Sequence, residues 1–138
     1  MTNDDVLIWT DFYKDKEAVE LLPIFGLASI EDHAKNWIDR QLSRYNKSGF
    51  GLQALLNKQT NEFIGQCGII KQEVDGQFEI EVGYHIFKKY WGQGYAPEAA
   101  QLFINYAFQN NLADSVISII DVRNIKSQRV AYKNGLKR

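Results

Sequence analysis

Two glycines one residue apart, Gly92 and Gly94, separate a strand-like segment from a helix-like one, and this junction constrains the chain more than any other feature. The stretch reads Glu81-Val82-Gly83-Tyr84-His85-Ile86-Phe87-Lys88-Lys89-Tyr90-Trp91-Gly92-Gln93-Gly94-Tyr95-Ala96-Pro97-Glu98. Glycine lets the backbone turn tightly and lets a ligand approach the main chain. A helix starting immediately afterwards adds unpaired amides and the positive end of its dipole. That combination suits a phosphate or pyrophosphate. A tight strand-to-helix turn with no ligand is the plainer alternative. Two familiar phosphate loops do not fit. A P-loop needs Lys-Ser/Thr after its last glycine, where Tyr95-Ala96 stands. A dinucleotide fingerprint needs a small third residue, and that position is Pro97.

The stretch does resemble the Arg/Gln-x-x-Gly-x-Gly/Ala pyrophosphate loop of the GNAT superfamily of N-acetyltransferases. Lys89 stands where that family usually has Arg or Gln, followed by Gly92 and Gly94. The flanking Glu81-Val82-Gly83-Tyr84 and Gly94-Tyr95-Ala96-Pro97-Glu98-Ala99 are similar to the branch containing the ribosomal-protein N-terminal acetyltransferases. Pro97 replaces a usual Thr there, and proline is well tolerated in a first helical turn. A second block, Asn124-Ile125-Lys126-Ser127-Gln128-Arg129-Val130-Ala131-Tyr132-Lys133-Asn134-Gly135-Leu136, resembles the family's Asn-x-x-Ser-x-x-Val-x-x-Lys-x-Gly-Phe segment. It reads as a short helix closed by a glycine. The order and spacing of the two blocks agree with the family over residues 50–136.

The resemblance implies transfer of an acetyl group from acetyl-CoA, as cosubstrate and without a metal, to a primary amine on a protein N-terminus or a small molecule. Backbone amides of Gly92, Gln93, Gly94, Tyr95 and Ala96, with Lys89 beside them, would take the pyrophosphate. His85, Ile86 and Phe87 would pair with the pantetheine amides, and Asn124 and Ser127 would line the opposite wall. Amide-forming acyl transfer needs a base for the amine and a donor for the leaving thiolate. Glu81 matches a position that sometimes carries the base; otherwise it is an exposed strand carboxylate like Glu79. Ser127 matches a serine near the CoA sulfur, with helix capping as its structural alternative. Many members place an acid tyrosine seven residues after the Asn, where this chain has Ala131. Tyr132 comes one later, and one helical residue is a rotation of ~100°. A catalytic and a core role are both open for it. The rival function is a catalytically inactive acyl-CoA-binding or interaction module that keeps only the cofactor half.

Composition is consistent with an ordinary globular domain spanning residues 1–138, with 45% hydrophobic and 24% charged residues. A net charge of −1 argues against a sequence-wide basic surface for nucleic acid. Cys67 is the single cysteine, so no intramolecular disulfide forms. It reads as a half-buried strand residue. The acidic start Met1-Thr2-Asn3-Asp4-Asp5, followed by no long apolar run, speaks against a signal peptide or a membrane span. The expected location is the cytoplasm.

Hydrophobic periodicity predicts an α/β mixed sheet. Residues 1–28 resist assignment: Val6-Leu7-Ile8-Trp9 is apolar, and the apolar run 18–25 is broken by Pro23. Ser29 caps a helix carrying Ile30, Ala34, Trp37, Ile38, Leu42 and Tyr45 at helical spacing, stopped at Ser48-Gly49. His33 reads as solvent-facing and His85 as a pocket-lining strand residue. Strands follow at 50–56, 62–71 and 78–87, with Asp75-Gly76 as a hairpin turn. Next come an amphipathic crossover helix at 96–108 and a parallel strand at 116–122. That last segment is nearly all apolar, as suits a strand buried on both faces.

Family members usually open with a strand and close with two more, for which this sequence offers no clear counterpart. Truncation at either end, a shortened natural product, and a dimer completing the sheet in trans are the competing explanations. The strand at 116–120 would be a bare apolar edge. A homodimer, or poor solubility, is expected, with the contact at that edge or near Leu136. The alternative is a monomer whose segment 6–9 folds back over the gap.

Overall fold

The computed structural model describes residues 1–22, 26–27 and 29–138. Its elements are α1 (Val6–Lys14), α2 (Lys16–Val19), α3 (Ile30–Ser48), β1 (Leu52–Leu56), β2 (Phe63–Val74), β3 (Gln77–Ile86), α4 (Tyr95–Gln109), β4 (Val116–Ile117) and α5 (Ile125–Lys133). Short 3₁₀ turns occupy Asn3–Asp5 and Lys88–Tyr90.

Local chemistry sets the boundaries. The Ser29 hydroxyl accepts the Asp32 N–H and opens α3, while Gly49, at φ 77°, closes it. Asp75 and Gly76, at φ 50° and 78°, turn β2 into β3. Positive φ at both centres is the twist-matched hairpin geometry that Asp-Gly favours. The strand order is β1-β2-β3-β4. The first two pairings are antiparallel and the last is parallel. Parallel pairing demands a crossover, and α4 supplies it.

Each face of the sheet is covered. On one side Cys67, Ile69, Ile80 and Val82 pack with Ala99, Ala100, Ile104 and Ala107 of α4. On the other, Leu52 and Ile70 pack with Trp9, Phe12, Ala34, Trp37 and Ile38 of α1 and α3. Trp9 is fully buried, its ring stacked on Phe12 at 4.2 Å between centroids. The first apolar run is therefore a helix that packs against α3, not a cover for the β4 edge. Among the described residues no strand precedes β1.

Five expectations are corrected. The last strand has two ladder residues, not seven, and it is not buried on both faces: Ile119 is 57% and Val122 67% exposed. It lies at the sheet edge with β3 on one side only, and beyond Ile117 the chain diverges from β3. The first strand starts at Leu52, and the second continues to Val74. Cys67 is wholly buried, and burial pushes its thiol up to about 12. His33 is half-buried, with its ring stacked on Tyr13 at 5.5 Å. The apolar run 18–25 lies outside the described residues at positions 23–25.

Candidate active site

A fork between β3 and β4 frames the site. The ladder ends at the pair Glu81–Ile117. Two residues further on, the Ile119 N–H donates not to the β3 backbone but to Glu81 Oε1, at 3.2 Å. Glu81 thus bridges the point where the strands part. Its other oxygen accepts from Gln72 Nε2 at 2.8 Å. The side chain is 8% exposed, so it is not the exposed carboxylate that was the alternative reading. Burial raises its pKa; the bonds from Ile119 and Gln72, and then the Arg44 charge, oppose that rise. A carboxylate so placed is a better base near neutrality than an exposed one.

The glycine loop lies where β3 ends. Gly92 and Gly94 have φ of 76° and 85°, and a Cβ added at either would meet nothing within 4 Å. Glycine is required there for backbone conformation, and the space above it is open. Gly94 is the N-cap of α4, whose first-turn amides have no intrahelical partner. This geometry fits an incoming pyrophosphate. Tyr95 is anchored by its hydroxyl, which accepts from Asn57 Nδ2 at 3.2 Å, and Ala96 is half-buried beside it. Gln93 Nε2 donates to the Lys89 carbonyl, and the exposed Lys89 ammonium lies 4.8 Å from the Tyr90 ring centre.

At the end of β3 the peptide groups divide. Phe87 N–H donates to Ile64 on β2, so by strand alternation the Ile86 peptide faces the fork. The Ile86 carbonyl there accepts from the Trp91 indole at 2.7 Å. His85 faces the α1–α3 layer instead, with Trp37 edge-on at 4.8 Å. Its Nδ1 has no partner among the described residues, and burial drives its pKa down to about 4. It is therefore neutral at ordinary pH.

The far wall is the start of α5. Asn124 Oδ1 accepts the Ser127 N–H at 3.0 Å, so Asn124, not Ser127, is the capping residue. The Asn124 amide NH₂ has no hydrogen-bond partner among the described residues. Ser127 Oγ turns to Tyr84, donating to its hydroxyl at 3.1 Å, and Tyr84 donates to the Ser127 carbonyl at 2.8 Å. Tyr132 is 55% exposed on the same helix. Gly135 closes α5 with φ 81°; its N–H bonds Tyr132 and that of Leu136 bonds Ala131. Asn134 then ties α5 to α4 through the Pro97 carbonyl at 2.9 Å.

Two features were not anticipated from sequence. Tyr84 was legible as a strand residue, but its partner lies 43 residues away. Glu17, at the start of α2, bonds Lys88 at 2.5 Å and Lys126 at 2.8 Å, joining the loop side of the fork to α5. The Lys126 ammonium also lies 4.2 Å from the Trp91 ring centre. A groove of about 520 Å³, lined by Arg44, Lys47, Phe50, Lys71, Phe78 and Leu112 among others, opens by the start of β3 and includes Ile80, the neighbour of Glu81. Among the described residues no group of three or more His, Cys, Asp or Glu could hold a metal. No helix among them is long and apolar enough to cross a membrane.

A mixed sheet with a glycine loop and a crossover helix is the fold shared with solved acetyltransferase structures. The chain belongs to the GNAT family: residues 1–137 match its acetyltransferase (GNAT) domain. It is 38% identical over 103 residues to the protein YkkB of Bacillus subtilis (strain 168), covering 73% of this chain and 57% of that protein. It is 36% identical over 92 residues to the uncharacterized N-acetyltransferase p20 of Bacillus licheniformis, covering 62% of this chain and 50% of that one. The chain thus spans about half the length of these relatives. In fold it is similar to an acetyltransferase from Agrobacterium tumefaciens str. C58, with a TM-score of 0.81 at 24% identity over 98% of this chain and 75% of that one. It is likewise similar to the ribosomal-protein-S5-alanine acetyltransferase of Vibrio fischeri, at 0.77 and 16% identity, over 100% of this chain and 77% of that one.

Proposed function

We propose that this protein transfers the acetyl group of acetyl-CoA to a primary amine by direct attack, in the cytoplasm and without a metal. The observation that carries the reading is the fork, with an open glycine loop at one wall and Asn124 and Ser127 at the other. The amides of residues 92–96 bind the pyrophosphate, helped by the α4 dipole. The Ile86 peptide meets the pantetheine arm, and the Asn124 NH₂ steadies it from α5. Glu81 removes the amine's proton, directly or through one water, as the nitrogen attacks the thioester carbon. A protein N-terminus is the favoured acceptor class. That choice rests on the Glu81-Val82-Gly83-Tyr84 and Gly94-Tyr95-Ala96 motifs and on the fold shared with a ribosomal-protein acetyltransferase.

Equilibrium dialysis against CoA and NAD tests the ligand. CoA binding without NAD binding is expected, and the reverse would sink the proposal. Thiol release across a panel of peptides and small amines then tests the reaction. CoA binding with no thiol release from any amine would favour the inactive acyl-CoA-binding module.

A further inference from the structure

We infer that the groove beside β2 docks an extended acidic segment of the protein acceptor; this rests on the acetyl-transfer reading above. Two independent observations meet there, and the first is charge. Arg44 and Lys47, on the last two turns of α3, and Lys71, on β2, line the hollow of about 520 Å³. Among the described residues none of these three cations pairs with a carboxylate. Arg44 Nη1 donates to Gln41 Oε1 at 3.2 Å, and the Lys71 ammonium lies 4.2 Å from the Phe78 ring centre. Phe50, Phe78 and Leu112 supply the apolar lining. A second hollow of about 300 Å³ shares Lys71, Phe78 and Leu112 and adds Glu79 and Asp114. The positive end is therefore the end at α3, and the carboxylates of a ligand belong there.

The second observation is an unpaired strand. The ladder of β2 to β1 ends at Leu52–Gly68, whereas its ladder to β3 runs on to Val74–Gln77. From Ile69 to Val74, β2 thus has a strand on one side only. Lys71 stands in this stretch and Phe50 lies just before β1, so the groove adjoins the open edge. An extended peptide can add there as a strand. Main-chain bonds to β2 give affinity, and acidic side chains at alternate positions meet the cations. A lone edge lysine would serve to keep other strands away. Three unpaired cations around an apolar hollow instead match a strand that is acidic on one face and apolar on the other. The groove also adjoins the chemistry: Ile80 lines it and precedes Glu81, and the Arg44 charge acts on the Glu81 carboxylate. Docking here holds the acceptor at the strand that carries the proposed base and raises the local concentration of its amine.

The test uses the full chain and fluorescein-labelled peptides read by anisotropy. One peptide alternates Glu with Leu, a second alternates Gln with Leu, and a third is the Glu peptide N-methylated throughout. The Glu peptide should bind about tenfold or more tightly than either of the others, and salt should weaken it. Lys47 and Lys71 are exposed, so Lys47→Glu and Lys71→Glu together should leave Tm and CoA affinity unchanged. The double variant should lose about tenfold or more in affinity for the Glu peptide. In thiol-release kinetics it should raise KM for a Glu-rich peptide amine about tenfold at constant kcat, and leave a Gln-rich one unaltered. Equal binding of the Gln peptide, or undiminished binding of the Glu peptide by the variant, overturns the inference. So does full binding of the N-methylated peptide, which removes the added strand, or tighter binding of polyuridylate, which makes the groove a nucleic-acid site. A fall in kcat at constant KM assigns the lysines a structural role and refutes docking. The transfer reading fails separately. No thiol release from any amine removes the acceptor role even where the Glu peptide binds, whereas thiol release with no preference for Glu sinks the groove and leaves transfer intact.

Discussion

Glu81 carries two demands at once. It closes the fork by accepting the Ile119 N–H, and as a buried carboxylate it is the base of the proposed transfer. Glutamine keeps an oxygen for Ile119 but cannot take a proton. Glu81→Gln should therefore lower kcat/KM on the order of 10²-fold or more, while CoA affinity holds. The acid limb of the wild-type pH profile should lie above the range of an exposed carboxylate and vanish in the variant. Stability has the complementary sign. A carboxyl with a raised folded pKa contributes fully below its unfolded pKa and loses that contribution as pH rises through the folded one. Glu81→Gln should thus gain in Tm relative to the parent as pH rises, with little difference in acid. A Tm difference that is flat with pH would refute a raised Glu81. At Gly94 the demand is conformational: φ is 85°, where an alanine costs about 1–2 kcal/mol. Gly94→Ala should leave the fold intact and weaken CoA roughly tenfold by shifting the amides, as calorimetry would show.

Among the elements, α2 is the least supported by its own length and the most tied by charge. Its Glu17 holds Lys88 beyond β3 and Lys126 on α5. The bonds from Lys126 and then Lys88 hold its carboxyl down to about 2. The link is complete above the ordinary glutamate pKa and dissolves as pH falls towards 2. The ends of this link are exposed, so salt weakens it. Carbon-detected titration should place Glu17 well below the ordinary glutamate range, and Lys126→Met should move it back towards the ordinary value. An unchanged Glu17 titration in that variant would remove the link. α4 works differently: Gly94 starts it, and Ala99, Ala100 and Ala107 let it lie close on β2 and β3. That closeness places the glycine loop at the fork.

For the whole molecule the edge of the sheet is decisive. β4 has β3 on one side, and the segment after it exposes Ile119 and Val122. Apolar, unpaired edges favour association. We propose that the 138-residue chain dimerises through this edge and the surface near Leu136. Light scattering over a concentration series should report a dimer, and Ile119→Lys should shift it towards monomer. A monomer at high concentration would show that the edge needs no partner.

Periodicity and punctuation determined much of this protein. Ser29 and Gly49 bound α3, Asp75-Gly76 turns the hairpin, and Gly92 and Gly94 announce a strand-to-helix junction, each through backbone preferences that need no distant contact. The 116–122 run misled because burial on both faces and exposure at an edge can share one apolar composition; the neighbours decide, and β4 has one. The first residues resisted for a related reason. Val6-Leu7-Ile8-Trp9 has no alternation, and it is packing of Trp9 and Phe12 on Trp37 and Ile38 that makes it a helix. That Glu81 is buried rather than an exposed strand carboxylate emerged only when the fold set Ile119 and Gln72 against it. The meeting of Tyr84 with Ser127, and of Glu17 with Lys88 and Lys126, belongs to tertiary structure alone. Residues so far apart in the chain acquire a distance only when the sheet and its crossover close the loop between them.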